Sequence, residues 1–413
     1  IQNNFFSSFW GIYWEKVVFI PLILKNILHV LLKYIFTKSK NLYIVMNHNL
    51  FWQLPIMKNF ILFLITITII SATSSSCKKT DVPATVTPPT PPAPINAVIA
   101  PPPAFGFYVV GYFPSYRNVD SVPAVKFKMC SVINYAFANI DSMGNLIVSN
   151  GTHLAAVRDK AKLNSAKVFL SISGLAGNFK IAAATSNGRT TIVINAMNLL
   201  RTYNLDGLDI DWEFPRTDDG TNITYTAFMK QLSDSCHRGS KYYLTAAITA
   251  GKFAGAVRDA ISSELWTGNY VDWFNIMSYD DFSTTVPYKQ HTDYALATTS
   301  MNYWVTTRGM PAAKAVLGIA GYGRASGITQ TGTTLSFANI ILQGGNPQSD
   351  SAVVTQGSFV NYKIYYNGLA TVKKKAILAK QSGNGIMLWE KSQDAHNNNS
   401  MLKAVCDTIG RVY

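Results

Sequence analysis

From residue 106 to the carboxyl terminus, short β-like segments alternate with segments of helical periodicity. The predicted strands are residues 106–112, 131–137, 167–172, 207–211, 243–248, 273–277, 315–319 and 385–388. The predicted helices include residues 154–163, 190–203, 225–236, 294–306, 370–379 and 401–409. Strands and helices in alternation predict an α/β fold with a parallel sheet. Eight such repeats in roughly 300 residues favour a closed (β/α)8 TIM barrel over an open doubly wound sheet.

One segment interrupts this alternation. Residues 325–366, between the seventh and eighth predicted strands, are rich in Gly, Thr, Gln and Ser. We predict a small insertion there, on the rim of the barrel. Residues 105–413 are therefore interpreted as one (β/α)8 domain that contains this insertion.

The chain before this domain contains a predicted export signal. Residues 57–77 combine a basic start, an apolar run over residues 60–70 and small residues that end at Cys77, which is the layout of a secretory signal. Cys77 in this setting resembles a bacterial lipoprotein processing site, although Ser74 stands where Leu is commonest. We predict lipidation of Cys77 and a protein that is exported and lipid-anchored on the bacterial cell envelope or surface. Simple secretion, with cleavage near Ala72, is the alternative.

Two further segments flank this signal. Residues 78–104 are rich in Pro, Thr and Ala and predict an extended linker between the anchor and the domain. Residues 1–56 precede a complete signal, and we interpret them as an over-extended reading frame or an unstructured upstream segment. A membrane helix over residues 17–36 is the competing interpretation, but Lys25 and Lys33 interrupt it at a high energetic cost.

The net charge of +14 does not predict nucleic-acid binding. Residues 1–80 hold eight Lys against one acidic residue, a net charge of +7, and the remaining chain holds 28 basic against 21 acidic residues, again +7. No run of Lys and Arg interleaved with aromatic residues occurs, and the basic run at residues 373–375 is typical of the solvated face of a helix. The excess charge therefore does not indicate a phosphate-binding surface.

The sequence predicts neither a metal site nor a cofactor. The four cysteines have no CxxC spacing and no His spacing typical of zinc. If Cys77 carries a lipid, Cys130, Cys236 and Cys406 can form at most one disulfide. No glycine-rich dinucleotide or phosphate loop occurs. We expect a monomer.

Acidic and apolar residues alternate in the fourth predicted strand, as Leu208, Asp209, Ile210, Asp211, Trp212 and Glu213. A strand directs alternate side chains to opposite faces, so the three carboxylates share one face. A half-exposed edge strand is the structural alternative, but such strands usually carry Lys, Thr or charges of both signs. Crowded carboxylates with separated pKa values are typical of acid catalysis.

Other predicted strands also end in polar and aromatic residues, where a TIM barrel places its active site. They are Tyr112, Phe137, Met277, Tyr279, Asp280, Tyr322, Arg324, Trp389 and Glu390. Each aromatic residue alone is more often part of a core than of a binding site. Together, aromatic faces and carboxylates suit a sugar ligand.

The segment from Asp206 to Glu213 matches the DGxDxDxE signature of glycoside hydrolase family 18, the chitinase family. Residues 277–280 and 385–390 resemble two further family motifs, and the resemblance extends over residues 105–413. It implies a glycosidase that cleaves β-1,4-linked N-acetylglucosamine polymers. The implied mechanism retains configuration and is substrate-assisted, through an oxazolinium ion formed by the substrate's N-acetyl group.

The resemblance also implies roles for individual residues. Glu213 is the general acid, Asp211 orients Glu213 and supports the charged acetamido group, and Asp209 shares a proton with Asp211. Tyr279 holds the N-acetyl group for attack. The implied substrate-binding residues are Asp280, which bonds sugar hydroxyls, Trp389, which forms the floor under the sugar, and the groove residues Tyr112, Phe137, Met277, Tyr322 and Arg324.

Two departures from the family pattern affect substrate binding. The third predicted strand ends with Ser173, Gly174 and Leu175, where the family usually has two glycines and an aromatic residue. Loss of this aromatic platform reduces expected affinity on the leaving-group side. The short insertion predicts a shallow cleft and random endo action.

Three other functions are compatible with the fold. An endo-β-N-acetylglucosaminidase that cuts N-glycans would share the mechanism. A non-catalytic chitin-binding lectin would have lost the acid, but Glu213, Asp211 and Tyr279 are all present. A structural surface lipoprotein would use the barrel only as a scaffold.

Overall fold

The computed structural model describes residues 98–283, 285–286, 288–325 and 333–413. The predictions for residues 1–56, for the signal at residues 57–77 with Cys77, and for residues 78–97 of the linker lie outside the described residues. The end of the predicted linker contacts the barrel: the Tyr243 hydroxyl donates a hydrogen bond to the Pro103 carbonyl over 2.8 Å.

Thirteen strands occur in the part of the chain that the structure describes. They are β1 Tyr108–Pro114, β2 Val132–Ile140, β3 Leu146–Val148, β4 Lys167–Ser173, β5 Gly207–Ile210, β6 Tyr243–Thr249, β7 Trp273–Met277, β8 Ala315–Ala320, β9 Tyr322–Ala325, β10 Thr334–Ser336, β11 Ser351–Gln356, β12 Phe359–Tyr365 and β13 Gly385–Trp389. Eight of them, β1, β2, β4, β5, β6, β7, β8 and β13, form the barrel. These are the eight predicted strands, with ends shifted by at most three residues.

The barrel is parallel and closed. Each barrel strand pairs with the next in chain order, and β1 pairs with both β2 and β13. The closing registers place Val110 beside Val132 and Tyr108 beside Gly385. The predicted (β/α)8 architecture is therefore confirmed.

The described ranges contain ten α-helices: α1 Ala124–Lys128, α2 Gly151–Leu163, α3 Ala176–Ala182, α4 Ser186–Thr202, α5 Thr221–Cys236, α6 Glu264–Thr267, α7 Tyr294–Met301, α8 Phe337–Leu342, α9 Leu369–Ser382 and α10 Met401–Ile409. Side-chain caps define several amino termini, because they satisfy backbone N–H groups that a first turn leaves free. Asn150, Thr185, Asp293 and Ser400 each accept such a hydrogen bond. The predicted helix at residues 294–306 is α7 followed by a π-helical segment, Asn302–Thr307.

Strand alternation produces two hydrophobic cores. On β2, for example, Ile133 and Tyr135 pack outward toward the helices, while Val132 and Ala136 face the barrel interior. The lower interior is filled by aromatic rings, including Tyr108 stacked on Trp273 with centroids 4.2 Å apart. The interior is therefore a packed core that closes the barrel below the site.

The predicted insertion is a small antiparallel sheet with one helix. Its strand order is β10, β9, β12, β11, and α8 follows β10. The insertion begins at Tyr322, three residues earlier than predicted, because only Gly321 separates β8 from β9. Tyr322 and Arg324 thus belong to the insertion and not to a barrel strand.

The described residues contain no helix that is both long enough and apolar enough to span a membrane. Cys130, Cys236 and Cys406 are buried and have free thiols.

Candidate active site

The acidic stretch at the end of β5 places its carboxylates as the alternation predicts. Asp209 is fully buried and Asp211 is 5% exposed, while Glu213 reaches solvent at the mouth of the barrel. On the opposite face, Trp212 is buried in the outer core and stacks on Phe179, with ring centroids 4.9 Å apart. The packing of Trp212 in the outer core thus fixes the backbone from which the carboxylates project.

Asp209 is held by four hydrogen-bond donors. Its Oδ2 accepts from the hydroxyls of Tyr112 at 2.6 Å and Ser171 at 2.8 Å. Its Oδ1 accepts from the Thr245 hydroxyl at 2.6 Å and from the Asn275 amide at 3.0 Å. Burial raises the pKa of Asp209, and these hydrogen bonds partly offset the rise.

Asp211 has the opposite environment. Its Oδ1 is buried and has no hydrogen-bond partner among the described residues. Burial, followed by the charges of Glu213 and Asp209, raises the pKa of Asp211 well above its usual range. A buried carboxyl group that lacks donors is more stable when protonated, so this environment favours the neutral form of Asp211.

Glu213 lies between this buried pair and solvent. Partial removal of surrounding water raises the pKa of Glu213, and the negative charge of Asp280 adds to the rise. A carboxyl group with a raised pKa keeps its proton to higher pH than an ordinary Glu and can offer it to a leaving group. The geometry is thus suited to general acid catalysis by Glu213.

Tyr279 follows β7 and faces the same space. Its hydroxyl contacts the Met387 sulfur at 3.8 Å. Burial raises the pKa of Tyr279 well above its usual range, with smaller effects from Tyr322 and Asp211. The phenol therefore keeps its proton and can donate a hydrogen bond to a ligand.

Asp280 is fixed by the insertion. It has a left-handed backbone, with φ of 63°, and its Oδ1 accepts from the Tyr322 hydroxyl at 2.7 Å and from Arg324 Nε at 2.9 Å. Burial alone would raise the pKa of Asp280, but hydrogen bonds from His291, Tyr322 and Arg324 outweigh it and lower the pKa to about 2. Asp280 is therefore an anion at the edge of the site.

Aromatic rings form one side of the mouth. Trp389, the last residue of β13, stacks on Phe137 with centroids 5.7 Å apart and meets Tyr112 edge-on at 5.3 Å. Met277 and Tyr279 pack against the same interior cluster and are only partly buried. This arrangement gives an apolar floor beside the carboxylates, as a sugar ring requires.

Comparisons with known proteins agree with this geometry. Residues 108–394 match the family described as Glycosyl hydrolases family 18. The chain belongs to this family.

Relatives of this chain include chitinase C of Streptomyces lividans, which is 30% identical over 227 residues that cover 46% of this chain and 36% of that protein. Chitinase A1 of Niallia circulans is 28% identical over 308 residues, which cover 60% of this chain and 43% of that protein. The family 18 chitinase from the chitin utilization locus of Flavobacterium johnsoniae has a similar structure, with a TM-score of 0.61 and 26% identity, covering 74% of this chain and 94% of that chain. The matches thus span less than half of the two curated relatives' own lengths.

The structure brings the sequence-predicted family 18 site residues together at the carboxyl end of the barrel. It buries two of them: Tyr112 is 1% exposed and Tyr322 is 4% exposed. Tyr112 therefore lies beneath the carboxylates and bonds Asp209, and Tyr322 lies behind Asp280. Neither ring forms an open groove surface.

Four polar residues that contact the site were missed by sequence reasoning: Ser171, Thr245, Asn275 and His291. Ser171, Thr245 and Asn275 are fully buried and project inward from β4, β6 and β7. The sequence feature that could have indicated these three residues is a polar residue at an inward position of an otherwise apolar strand. His291 lies in a loop, and no strand pattern indicates it.

The first departure from the family 18 pattern lies at the end of β4. Gly174 has a φ of 150°, and a Cβ there would meet Ile140 at 3.1 Å. Leu175 follows and is 75% exposed, so the position that usually carries an aromatic ring presents an aliphatic side chain to solvent.

No group of three His, Cys, Asp or Glu side chains could hold a metal ion within the described ranges.

Proposed function

We propose that this family 18 protein is a glycosidase of the chitinase type, which hydrolyses β-1,4 linkages between N-acetylglucosamine units. The observation that carries the proposal is the convergence of Glu213, Asp211 and Tyr279 above a buried, hydrogen-bonded Asp209. Its relatives support the substrate class, because those described above are chitinases.

Glu213 donates its proton to the glycosidic oxygen. Its raised pKa and its contact with solvent suit both this step and the later activation of water. Asp211, neutral and without a fixed donor, can turn toward Glu213 or toward the substrate's amide. The carboxylates interact strongly, so they titrate as a group.

The nucleophile is the N-acetyl oxygen of the substrate, and configuration at the anomeric carbon is retained. Tyr279 carries a protonated phenol that can hold the acetamido oxygen in line, and Trp389 provides the apolar surface under the sugar. Asp280 is the other carboxylate near Glu213, and hydrogen bonds from Tyr322 and Arg324 already occupy its Oδ1. Asp280 is better suited to bind sugar hydroxyls than to attack carbon.

An endo-β-N-acetylglucosaminidase acting on N-glycans is the second candidate, because it needs the same chemistry. The products distinguish the two. We expect protein lacking residues 1–80 to release short N-acetylglucosamine oligomers from chitin oligomers and to leave a high-mannose glycopeptide intact. Cleavage of the glycopeptide alone would favour the second candidate.

Glu213→Gln is the matched variant for this experiment. It keeps the shape of the side chain but cannot donate a proton, so we expect binding of chitin oligomers without product. If the unmodified protein binds both substrates and cleaves neither, the proposed enzymatic function is ruled out and the lectin function remains.

We also propose export and a lipid anchor on Cys77, with the barrel at the cell envelope or surface as a monomer. The sequence of residues 57–77 supports this proposal. Cys77→Ala should move the protein from the membrane fraction to the soluble fraction; unchanged membrane association contradicts the anchor.

A further inference from the structure

The end of the barrel opposite the proposed site carries a cluster of basic side chains. In a (β/α)8 barrel, the connections from each helix to the next strand lie at the amino ends of the strands, away from the active site. Two adjoining depressions open at this end, and both are lined by Lys167 and Asp206. The basic residues of the two depressions, here called the basic floor, are Lys162, Lys167, Arg201, Lys241 and Arg411.

The positive charge of the basic floor is not neutralised by its surroundings. Of the described residues that line the two depressions, only Asp206 carries a carboxylate, and Lys162 lies 3.8 Å from it. Neutral groups occupy other members of the floor: Arg201 donates to the Asn198 amide oxygen at 2.6 Å. The floor therefore presents five positive charges against one negative charge.

Helix stabilisation explains only part of this cluster. Lys162 and Arg201 lie in the last turns of α2 and α4, where a cation stabilises the helix dipole, and Arg411 bonds carbonyl groups at the end of α1. Lys167 begins β4 and Lys241 precedes β6, so neither stabilises a helix end. The five residues are far apart in the sequence, which is why no basic run indicates them.

Exposed apolar side chains lie next to the basic floor. Leu163 and Val412 directly follow members of the floor in the chain and are 85% and 91% exposed. Val98 is 74% exposed, and its carbonyl accepts from the Gly239 N–H at 2.9 Å, in the connection between α5 and β6. Single exposed apolar residues are ordinary, but apolar side chains among basic ones are typical of surfaces that bind an anionic membrane interface.

The chain also enters the barrel on this side. Residues 98–107 lead to the amino end of β1, and Phe105 lines one depression together with Lys167. The predicted linker therefore joins the proposed lipid on Cys77 to the side of the domain that carries the floor. Residues 78–97 span at most about 60 Å as an extended polyproline chain, so this tether would keep the floor close to the membrane.

We propose that the basic floor, together with Leu163 and Val412, docks on a membrane surface of anionic lipid headgroups. The floor lies at the opposite end of the barrel from Glu213, so docking leaves the mouth of the site facing away from the membrane. The proposed substrate is uncharged and does not need these basic residues. The inference thus goes beyond the proposed function and adds a second membrane contact to the proposed anchor.

The test measures co-sedimentation with vesicles of phosphatidylglycerol and phosphatidylcholine, and with vesicles of phosphatidylcholine alone. It uses protein lacking residues 1–80, because the closed barrel and both hydrophobic cores lie within residues 105–413 and the removed segment is itself basic. We expect binding to the anionic vesicles only. This binding should weaken as the salt concentration rises from about 0.05 M to about 0.5 M.

The charge variant is Arg201→Gln combined with Lys241→Gln, which removes two exposed charges of the floor. We expect the affinity for anionic vesicles to fall about 10- to 30-fold, since each basic residue near an anionic surface contributes separately. Lys363→Gln combined with Lys374→Gln is the matched control. It removes two exposed charges from β12 and α9, away from the floor, and should lower the affinity less than about 3-fold.

The apolar variant is Leu163→Ser. We expect it to weaken binding to anionic vesicles about 5-fold, because an apolar side chain that enters the interface is lost. Leu342→Ser is its control, because Leu342 is 82% exposed on the insertion and should not touch the membrane. Equal losses in variant and control, for either the charges or the leucines, overturn the proposal.

Two further results decide the partner. Equal binding to both kinds of vesicle overturns the proposal, and so does binding of heparin through Arg201 and Lys241 without binding of vesicles, which would make the floor a polyanion site. Hydrolysis of chitin oligomers is measured in the same samples, and the floor variants should keep their kcat/KM. Protein that binds anionic vesicles but hydrolyses nothing would reject only the proposed function, whereas active protein that ignores the vesicles would reject only the docking surface.

Discussion

The guanidinium group of Arg117 contacts the buried carboxylate of Glu390 directly behind Trp389. Arg117 Nε lies 2.8 Å and Nη2 lies 2.7 Å from the same oxygen, Oε1, of Glu390. The other oxygen accepts from the Ser392 backbone N–H at 2.7 Å. Glu390 is 1% exposed. The pair therefore links the loop after β1 to the loop after β13 and fixes the backbone that carries Trp389.

Arg117→Met should destabilise the fold and weaken substrate binding. It leaves the Glu390 carboxylate buried with one remaining partner, and we expect a loss of about 2 kcal/mol in the free energy of unfolding, measured with urea. KM should rise more than kcat falls, because Trp389 binds the sugar and does not transfer protons. Lys403→Met is the control, since Lys403 pairs with Asp407 on an exposed helix face and its loss should be small. Equal losses in the two variants would contradict this role.

Asp211→Asn should lower activity and raise stability at neutral pH. The pKa of Asp211 in the folded protein lies well above that in the unfolded chain. The unfolded chain therefore releases this proton first as pH rises above about 4, which favours unfolding. We expect Asp211→Asn to raise Tm more at pH 7 than at pH 4 and to lower kcat by about 10²-fold or more.

Asp234→Asn, on the exposed part of α5, is the control for Asp211→Asn and should change neither quantity. A gain in Tm that is equal at both pH values would show that the buried charge of Asp211 is not its cause.

Asp280→Asn tests a carboxyl group whose pKa is lowered in the folded protein, whereas that of Asp211 is raised. The pKa of Asp280 is lowered from 3.8 to about 2, so its ionised form stabilises the fold above about pH 4, and this stabilisation is lost as pH falls toward 2. Its side chain is 41% exposed, so solvent screening limits the effect to about 1 kcal/mol. Urea unfolding should show this loss at pH 7 and almost none at pH 2. An equal loss of stability at pH 7 and pH 2 would contradict a stabilising role for the charged hydrogen bonds of Asp280. Asp120→Asn is the control, because Asp120 is exposed.

The barrel was predictable because each strand carries its own pattern. Eight short, mostly apolar segments that alternate with helical segments favour a parallel sheet covered on one side by helices and filled on the other. The strand ends were less predictable: β2 was expected at residues 131–137 but continues to Ile140, where it pairs with β3. Pairing with a neighbour extends a strand beyond what its own residues indicate.

The candidate site was predictable from its strand ends but not from its interior. Asp209 and Asp211 are two residues apart, yet Asp209 has four donors and Asp211 Oδ1 has none. These donors come from residues 36 to 97 positions away in the chain. Their approach depends on how the closed barrel aligns its strands, which no local pattern encodes. The burial of Tyr112 has the same origin, since its hydroxyl points at Asp209.

Leu175→Trp should restore a stacking surface on the leaving-group side. Leu175 is 75% exposed after β4, and an indole there could gain about 0.5 to 1.5 kcal/mol from a sugar face, or about 2- to 10-fold in affinity. KM for long chitin oligomers should fall while kcat stays similar, because Glu213 is unaffected. An aryl chitobioside, which has no sugar on that side, should show no gain. Leu163→Trp is the matched control, because Leu163 is 85% exposed at the end of α2. An equal gain in affinity in this variant, or on the aryl substrate, would show that nonspecific hydrophobic binding causes the effect. A subsite beside Leu175 would then be excluded as its cause.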